Sequence, residues 1–143
     1  MKSGKWAILC GVAVVVLALG AGCARQRLAM MDARSDPAKL SPGDEGLVCV
    51  LVLDTQAVVA AVTASVREYP TMVVDLNDNG EEGDKVAGDG VWSFAIEVPE
   101  AASAGVYNWD FAAYDANGNP VKVTTEEGAE ESLTAETAVE ILY

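Results

Sequence analysis

Short apolar runs separated by turn residues fill the sequence after residue 46, and they constrain the fold more than any other feature. In the run 91–98, the side chains of Trp92, Phe94 and Ile96 alternate with small or polar ones, and the run 106–114 repeats this pattern. Alternation with a period of two is typical of strands that bury one face. Seven such runs are found, at 47–53, 58–66, 71–76, 91–98, 106–114, 121–125 and 137–142.

This pattern predicts an all-β fold. About seven short strands in roughly 100 residues, with no sustained helical period, favour an immunoglobulin-like β-sandwich. The length of 143 residues fits one domain, which we place at 46–143. No repeat of 30 or 40 residues occurs, which argues against a solenoid or a propeller.

The N-terminus has the layout of an export signal. Lys2 and Lys5 precede a stretch, 6–24, that contains no charged residue, as in secretory signal peptides. The apolar core 8–19 is short for a bilayer span, which needs about 20 apolar residues. Its end, Leu19-Gly20-Ala21-Gly22-Cys23, resembles the lipobox of bacterial lipoproteins, although Gly20 stands where leucine is commonest.

The lipobox resemblance implies a signal peptide at 1–22, with cleavage after Gly22 and a diacylglycerol on the thiol of Cys23. An uncleaved N-terminal apolar anchor helix and plain secretion remain as alternatives. All three place the body on the extracytoplasmic side of a membrane, in the bacterial cell envelope. The following segment, 23–45, carries Pro37, Pro42 and Gly43 without a lasting apolar period, and we interpret it as a tether, with a short helix around 28–33 as the alternative.

Composition excludes several function classes. The chain has 22 acidic and 9 basic residues and no histidine. A body this acidic repels nucleic acid, and the missing histidine removes Ser-His and Cys-His catalysis and His-containing zinc sites. We therefore expect a protein that is not an enzyme and has no catalytic residues. Cys49 is the one thiol of the body 46–143, and we expect it to be a small buried apolar residue.

One acidic segment has the composition of a metal site. Asp75, Asn77 and Asn79, followed by Gly80, match the first half of a calcium-binding loop. Val86 stands where the helix-loop-helix motif needs a glutamate, so the missing carboxylates would come from later positions. The alternative is that these side chains cap their own turn without a metal. The predicted calcium ligands are Asp75, Asn77, Asn79, Asp84 and Asp89, with Glu81 as a further candidate.

The run 73–93 resembles exported immunoglobulin-like modules of the choice-of-anchor X type. Those modules have an Asp-Asp-Gly turn, then Gly-Asp and Ala-Gly-Asp-Gly, then an aromatic strand. Here the segment reads Asp78-Asn79-Gly80, Gly83-Asp84 and Ala87-Gly88-Asp89-Gly90, followed by Trp92. The resemblance implies fold and exported location, and says little about function.

The sequence is compatible with three roles. The first is a membrane-anchored module with a structural or adhesive role toward an envelope protein. The second is binding of a glycan or another ligand, with Trp92, Trp109 and Tyr107 as a stacking platform, although their alternation favours burial. The third is a small accessory subunit of an envelope complex, held by an uncleaved N-terminal helix.

Overall fold

The structure is a computed structural model, and it describes residues 27–143. The all-β prediction is confirmed, because no helix occurs in this part of the chain and strands account for its regular structure. The strands are β1 (Leu28–Asp36), β2 (Lys39–Leu40), β3 (Glu45–Asp54), β4 (Ala61–Val66), β5 (Tyr69–Leu76), β6 (Val91–Glu97), β7 (Gly105–Tyr114), β8 (Lys122–Thr124), β9 (Glu130–Ser132) and β10 (Thr134–Ile141).

The strands form two main sheets and one small one. A three-stranded sheet has the order β1-β3-β6, and a five-stranded sheet has the order β2-β10-β7-β4-β5. Pairing is antiparallel except between β2 and β10. The β8-β9 pair forms a third, two-stranded sheet. The two main sheets enclose a shared apolar core, so the arrangement is sandwich-like.

Alternation along the strands decides which side chains enter this core. In β7, Trp109, Phe111 and Ala113 are buried, whereas the intervening residues are only partly covered. Val48 and Val50 of β3 are fully buried from the opposite sheet. Burying a side chain of the size of valine or phenylalanine stabilises the fold by about 1.5–3 kcal/mol. The inward face predicted for β7 is confirmed.

The first two strands correct the sequence interpretation of 23–45. The segment expected to be a tether contains β1, which pairs with β3 from Leu28 opposite Asp54 to Asp36 opposite Leu47. Its alternation is interrupted by a register shift between Met31 and Arg34, with Asp32 in a left-handed conformation (φ 52°). This irregularity hides the period of two from the sequence. The described residues contain ten strands rather than seven, the additional ones being β1, β2 and β9.

Cys49 is buried and free, as expected. It lies on the outer face of the three-stranded sheet, because Val48 and Val50 on either side of it point into the core. Burial raises the pKa of its thiol, against the opposing effect of the Arg34 charge. This cysteine therefore packs as a buried apolar residue on that face.

The predicted signal peptide 1–22, the lipid-bearing Cys23 and the alternative anchor helix lie outside the described residues. Within 27–143, no helix has the length and hydropathy needed to cross a bilayer.

Candidate functional site

The loop 77–90 connects β5 to β6 and covers part of the outer face of the three-stranded sheet. We call this segment the acidic loop. It is held against the sheet by the N–H of Ala95, which donates to the carbonyl oxygen of Glu82 at 3.2 Å. Gly83 fits this close approach, since a Cβ there would lie 2.6 Å from Cδ1 of Leu47. Its φ of +100° also favours glycine.

Three carboxylates converge inside the acidic loop. Oxygens of Asp78, Asp84 and Asp89 all lie within 4.8 Å of one another. Asp84 is buried, Asp78 is half-buried and Asp89 is exposed. Calcium binds oxygens at about 2.3–2.6 Å, so two oxygens on one ion lie at most about 5 Å apart. The spacing of these three groups therefore fits one shared ion. We call them the carboxylate cluster.

The same carboxylates also hold the loop through main-chain hydrogen bonds. The two carboxylate oxygens of Asp78 accept from the N–H groups of Gly88 and Gly90, each at 3.1 Å. Asp84 Oδ2 accepts from Gly80 at 2.7 Å. Asp89 Oδ1 accepts from Val91 at 2.9 Å. Because a carboxylate has about four acceptor positions, these bonds leave lone pairs free for a cation.

Burial raises the pKa of the Asp78 carboxyl above its ordinary value of 3.8, against the lowering effect of the Gly90 N–H. A hydrogen bond to Asp89 and the negative charge of Asp84 raise that pKa further. The cluster therefore favours uptake of positive charge, either a proton or a metal cation.

The structure brings together two of the predicted ligands and adds one that the calcium-loop template, Asp75-x-Asn77-x-Asn79-Gly80, missed. Asp84 and Asp89 belong to the carboxylate cluster, whereas Asp78 takes the place expected for Asp75. Asp75 lies inside β5, opposite Thr63, with an exposed side chain. The template assumed that the turn starts at Asp75, but strand pairing continues to the Asn77–Ser93 bridge. The turn starts after this bridge, which places Asp78 in the loop.

The two asparagines of the template have different roles. Asn79 caps its own turn, because its Oδ1 accepts from the N–H of Glu81 at 3.0 Å. Asn77 is paired with Ser93, and directly opposed residues point to the same face of a sheet. Both polar atoms of its side chain are buried without a hydrogen-bond partner among the described residues. No spacing rule in the sequence relates positions 78, 84 and 89, so only the loop's glycine and aspartate content signals this site.

The aromatic platform proposed for glycan binding is largely covered. Trp109 is 4% exposed and belongs to the core, and Trp92 is partly buried against the core. Tyr107, the third residue of that platform, is half-buried and stacks on the exposed Tyr69, with ring centroids 6.1 Å apart.

No family model matches the chain, and no curated protein matches it.

Proposed function

We propose that the protein is a non-catalytic, membrane-anchored immunoglobulin-like module of the bacterial cell envelope, with a structural or adhesive role on the extracytoplasmic side. The anchor is the lipid on Cys23. The acidic loop takes calcium as a structural ion. The observation that carries the calcium part of this proposal is the convergence of Asp78, Asp84 and Asp89 within 4.8 Å in the loop that connects β5 to β6.

The sheet topology supports the immunoglobulin-like part of the proposal. The chain crosses from the three-stranded to the five-stranded sheet between β3 and β4, returns between β5 and β6, and crosses again between β6 and β7. Crossings of this kind between two mainly antiparallel sheets are typical of Greek-key sandwiches.

The position of β1 supports close attachment to the membrane. Arg27 is already fixed to the body, since its N–H donates to Oγ1 of Thr55 at 2.7 Å. From Cys23 to Leu28 the chain spans at most roughly 18 Å, given about 3.6 Å per residue. A lipid on Cys23 would hold the sandwich near the bilayer surface, instead of at the end of a long tether.

Calcium fits the chemistry of the carboxylate cluster. The ion prefers hard oxygen ligands and accepts irregular geometry, and weak extracellular sites bind it at about 10⁻⁴–10⁻³ M. Bound there, it would offset the repulsion among the three carboxylates and fix the loop against the sheet. Main-chain carbonyls and water would complete the coordination.

The test compares melting temperatures in calcium, magnesium and chelator at equal ionic strength. At 100 times the dissociation constant, a bound ion stabilises the fold by about 2.7 kcal/mol. Asp78→Asn and Asp84→Asn should abolish this gain. Asp75→Asn should retain it, which separates the observed cluster from the sequence template.

Asp115→Asn is the matched control. Asp115 caps a comparable turn by accepting from the N–H groups of Asn117 and Asn119, and it is not part of the carboxylate cluster. Its substitution should leave the calcium effect unchanged. Equal stabilisation of the native protein by sodium and by calcium would show that the acidic loop is a self-capped turn without a metal.

A further inference from the structure

An apolar groove opens between β5 and β6, where the outward N–H of Ala95 in β6 is already bound to the acidic loop. Its volume is about 560 Å³, within the range of about 300–1,000 Å³ typical of ligand sites. The two strands touch at the Asn77–Ser93 bridge, and the groove lies where they separate beyond it. Its walls and floor include Val74, Phe94, Ile96, Trp109, Val139 and Ile141.

Each of the two strands that border the groove is an edge strand of its sheet. β5 is the last strand of the five-stranded sheet and β6 the last of the three-stranded sheet. Asn77 and Ser93 exchange main-chain hydrogen bonds, and antiparallel bonding alternates along a strand. The main-chain groups of Val73 therefore point outward from the edge of β5, on the side away from β4. This edge can accept a further strand.

The rim on the β5 side is apolar and exposed. Tyr69 is 56% and Met72 47% exposed, and both line the groove. An exposed apolar edge strand is a site of strand addition or of aggregation unless something covers it. Pro70, which lacks an N–H, blocks only the beginning of this edge.

The charge around the groove is negative. Glu97 lines it, and no lysine or arginine does. Glu68 precedes the rim, and two hydrogen bonds from Asn108 lower the pKa of its carboxyl, which keeps it ionised. The neighbouring Arg67 is bound by Asp110 at 2.6 Å and by Glu136 at 2.7 Å. The groove therefore favours a cationic partner.

We propose that this groove binds an extended peptide segment of another protein, which pairs with β5 as an added strand. Alternate apolar side chains of the peptide enter the groove, and flanking lysines or arginines lie near Glu68 and Glu97. Main-chain bonds supply affinity, and the side-chain positions supply selectivity. This inference names the partner chemistry of the adhesive role proposed above and rests on that role.

The position of the groove suits such a partner. The N-terminal segment enters at Leu28, opposite Asp54, at the end of the three-stranded sheet where β6 begins. Glu97 lies at the other end of β6, six residues on and about 20 Å away. If the chain is anchored through Cys23, the groove is directed away from the membrane surface.

The test measures binding calorimetrically, with the full-length protein in lipid nanodiscs. The probes are ten-residue peptides with two lysines at each end and valine, isoleucine, leucine or phenylalanine at alternate central positions. Glutamate-flanked and backbone N-methylated versions are the controls. Lysine-flanked peptides should bind, and both controls should bind at least tenfold more weakly.

Two substitutions locate the binding to the groove. Val73→Pro removes the outward N–H and should weaken binding about tenfold, as expected for the loss of about 1.4 kcal/mol. Val73→Ala keeps the N–H and should bind more tightly than Val73→Pro. Glu97→Lys should weaken the binding of lysine-flanked peptides and strengthen the binding of glutamate-flanked ones. Glu127→Lys, in a distant exposed loop, should change the affinity for neither peptide.

Three results would overturn the proposal. The first is that no peptide of the panel binds at millimolar concentration, and the second is that the N-methylated peptides bind as tightly as the unmodified ones. The third is that the small apolar probe N-phenyl-1-naphthylamine binds more tightly than the peptides and that its affinity does not change in Val73→Pro. Should Val73→Pro fail to fold, the N-methylated peptides decide the point. Because the calcium response is measured separately, its loss would reject the metal site without affecting this result.

Discussion

Asn77 and Ser93 exchange two main-chain hydrogen bonds, of 3.1 and 3.0 Å, and so join the end of β5 in one sheet to β6 in the other. The acidic loop leaves the sandwich on one side of this pair. The apolar groove opens on the other side, where the same two strands separate. One bridge thus sets the position of both candidate sites.

The fit of Gly83 against the sheet predicts a large effect of a single methyl group. Gly83→Ala should destabilise the fold by about 1–3 kcal/mol, the range for overpacking, because the new Cβ would lie 2.6 Å from Leu47 and 3.1 Å from the main-chain nitrogen of Ala95. Gly88→Ala is the matched control, since its φ is +74° but nothing lies within 4 Å. Urea unfolding compares the two. Equal losses would mean that backbone conformation, not contact with the sheet, requires Gly83.

The two tryptophans of the body should differ in their contribution to stability. Trp109→Ala should cost about 3–5 kcal/mol, as for other buried aromatic residues, because Trp109 is 4% exposed. Trp92→Ala should cost less, since its ring is only partly buried. Chemical denaturation measures both free energies. A Trp109 variant as stable as the native protein would place this ring outside the core and restore the glycan platform.

The raised pKa of the Asp78 carboxyl predicts a pH dependence of stability. Below pH 3.8, its ordinary value, folded and unfolded states both hold the proton. As the pH rises through the folded-state pKa, the stabilisation from this group is lost, because the folded state binds the proton more tightly. In chelator, Asp78→Asn should flatten this decline in the free energy of unfolding. Calcium should oppose it, since the ion binds the ionised carboxylates.

Glu68 provides a control of opposite sign in the same titration. Hydrogen bonds from Asn108 lower the pKa of its carboxyl below the ordinary 4.5. Its stabilisation is present above pH 4.5 and is lost as the pH falls through the folded-state pKa. Glu68→Gln should therefore weaken acid sensitivity. A change of slope in the same direction for Glu68→Gln and Asp78→Asn would contradict these assignments.

The anchoring proposal predicts the mass of the native protein. Purified from its own membrane, the chain should begin at Cys23 and carry a diacylglycerol, and Cys23→Ala should abolish both the cleavage and the lipid. Intact-mass spectrometry makes the measurement. A chain that begins at Met1 without lipid would favour the uncleaved anchor helix and the accessory-subunit role.

The sequence by itself determined the local features of this protein. The alternation in the run 106–114 predicts which face of β7 is buried, because successive side chains of a strand point to opposite sides. The glycine- and aspartate-rich composition of 77–90 predicts a turn-rich acidic segment between two strands. Both properties depend on residues that are neighbours in the chain.

Tertiary structure decided which distant residues meet. β1 forms because β3 offers it an edge, although its own pattern is broken at Asp32. Asp78 replaces Asp75 in the carboxylate cluster because the Asn77–Ser93 bridge extends the strand past Asp75. Cys49 and Ser93 are buried on the outer face of their sheet because the acidic loop covers it. Alternation is a property of the local backbone, whereas these contacts depend on the register between strands far apart in sequence.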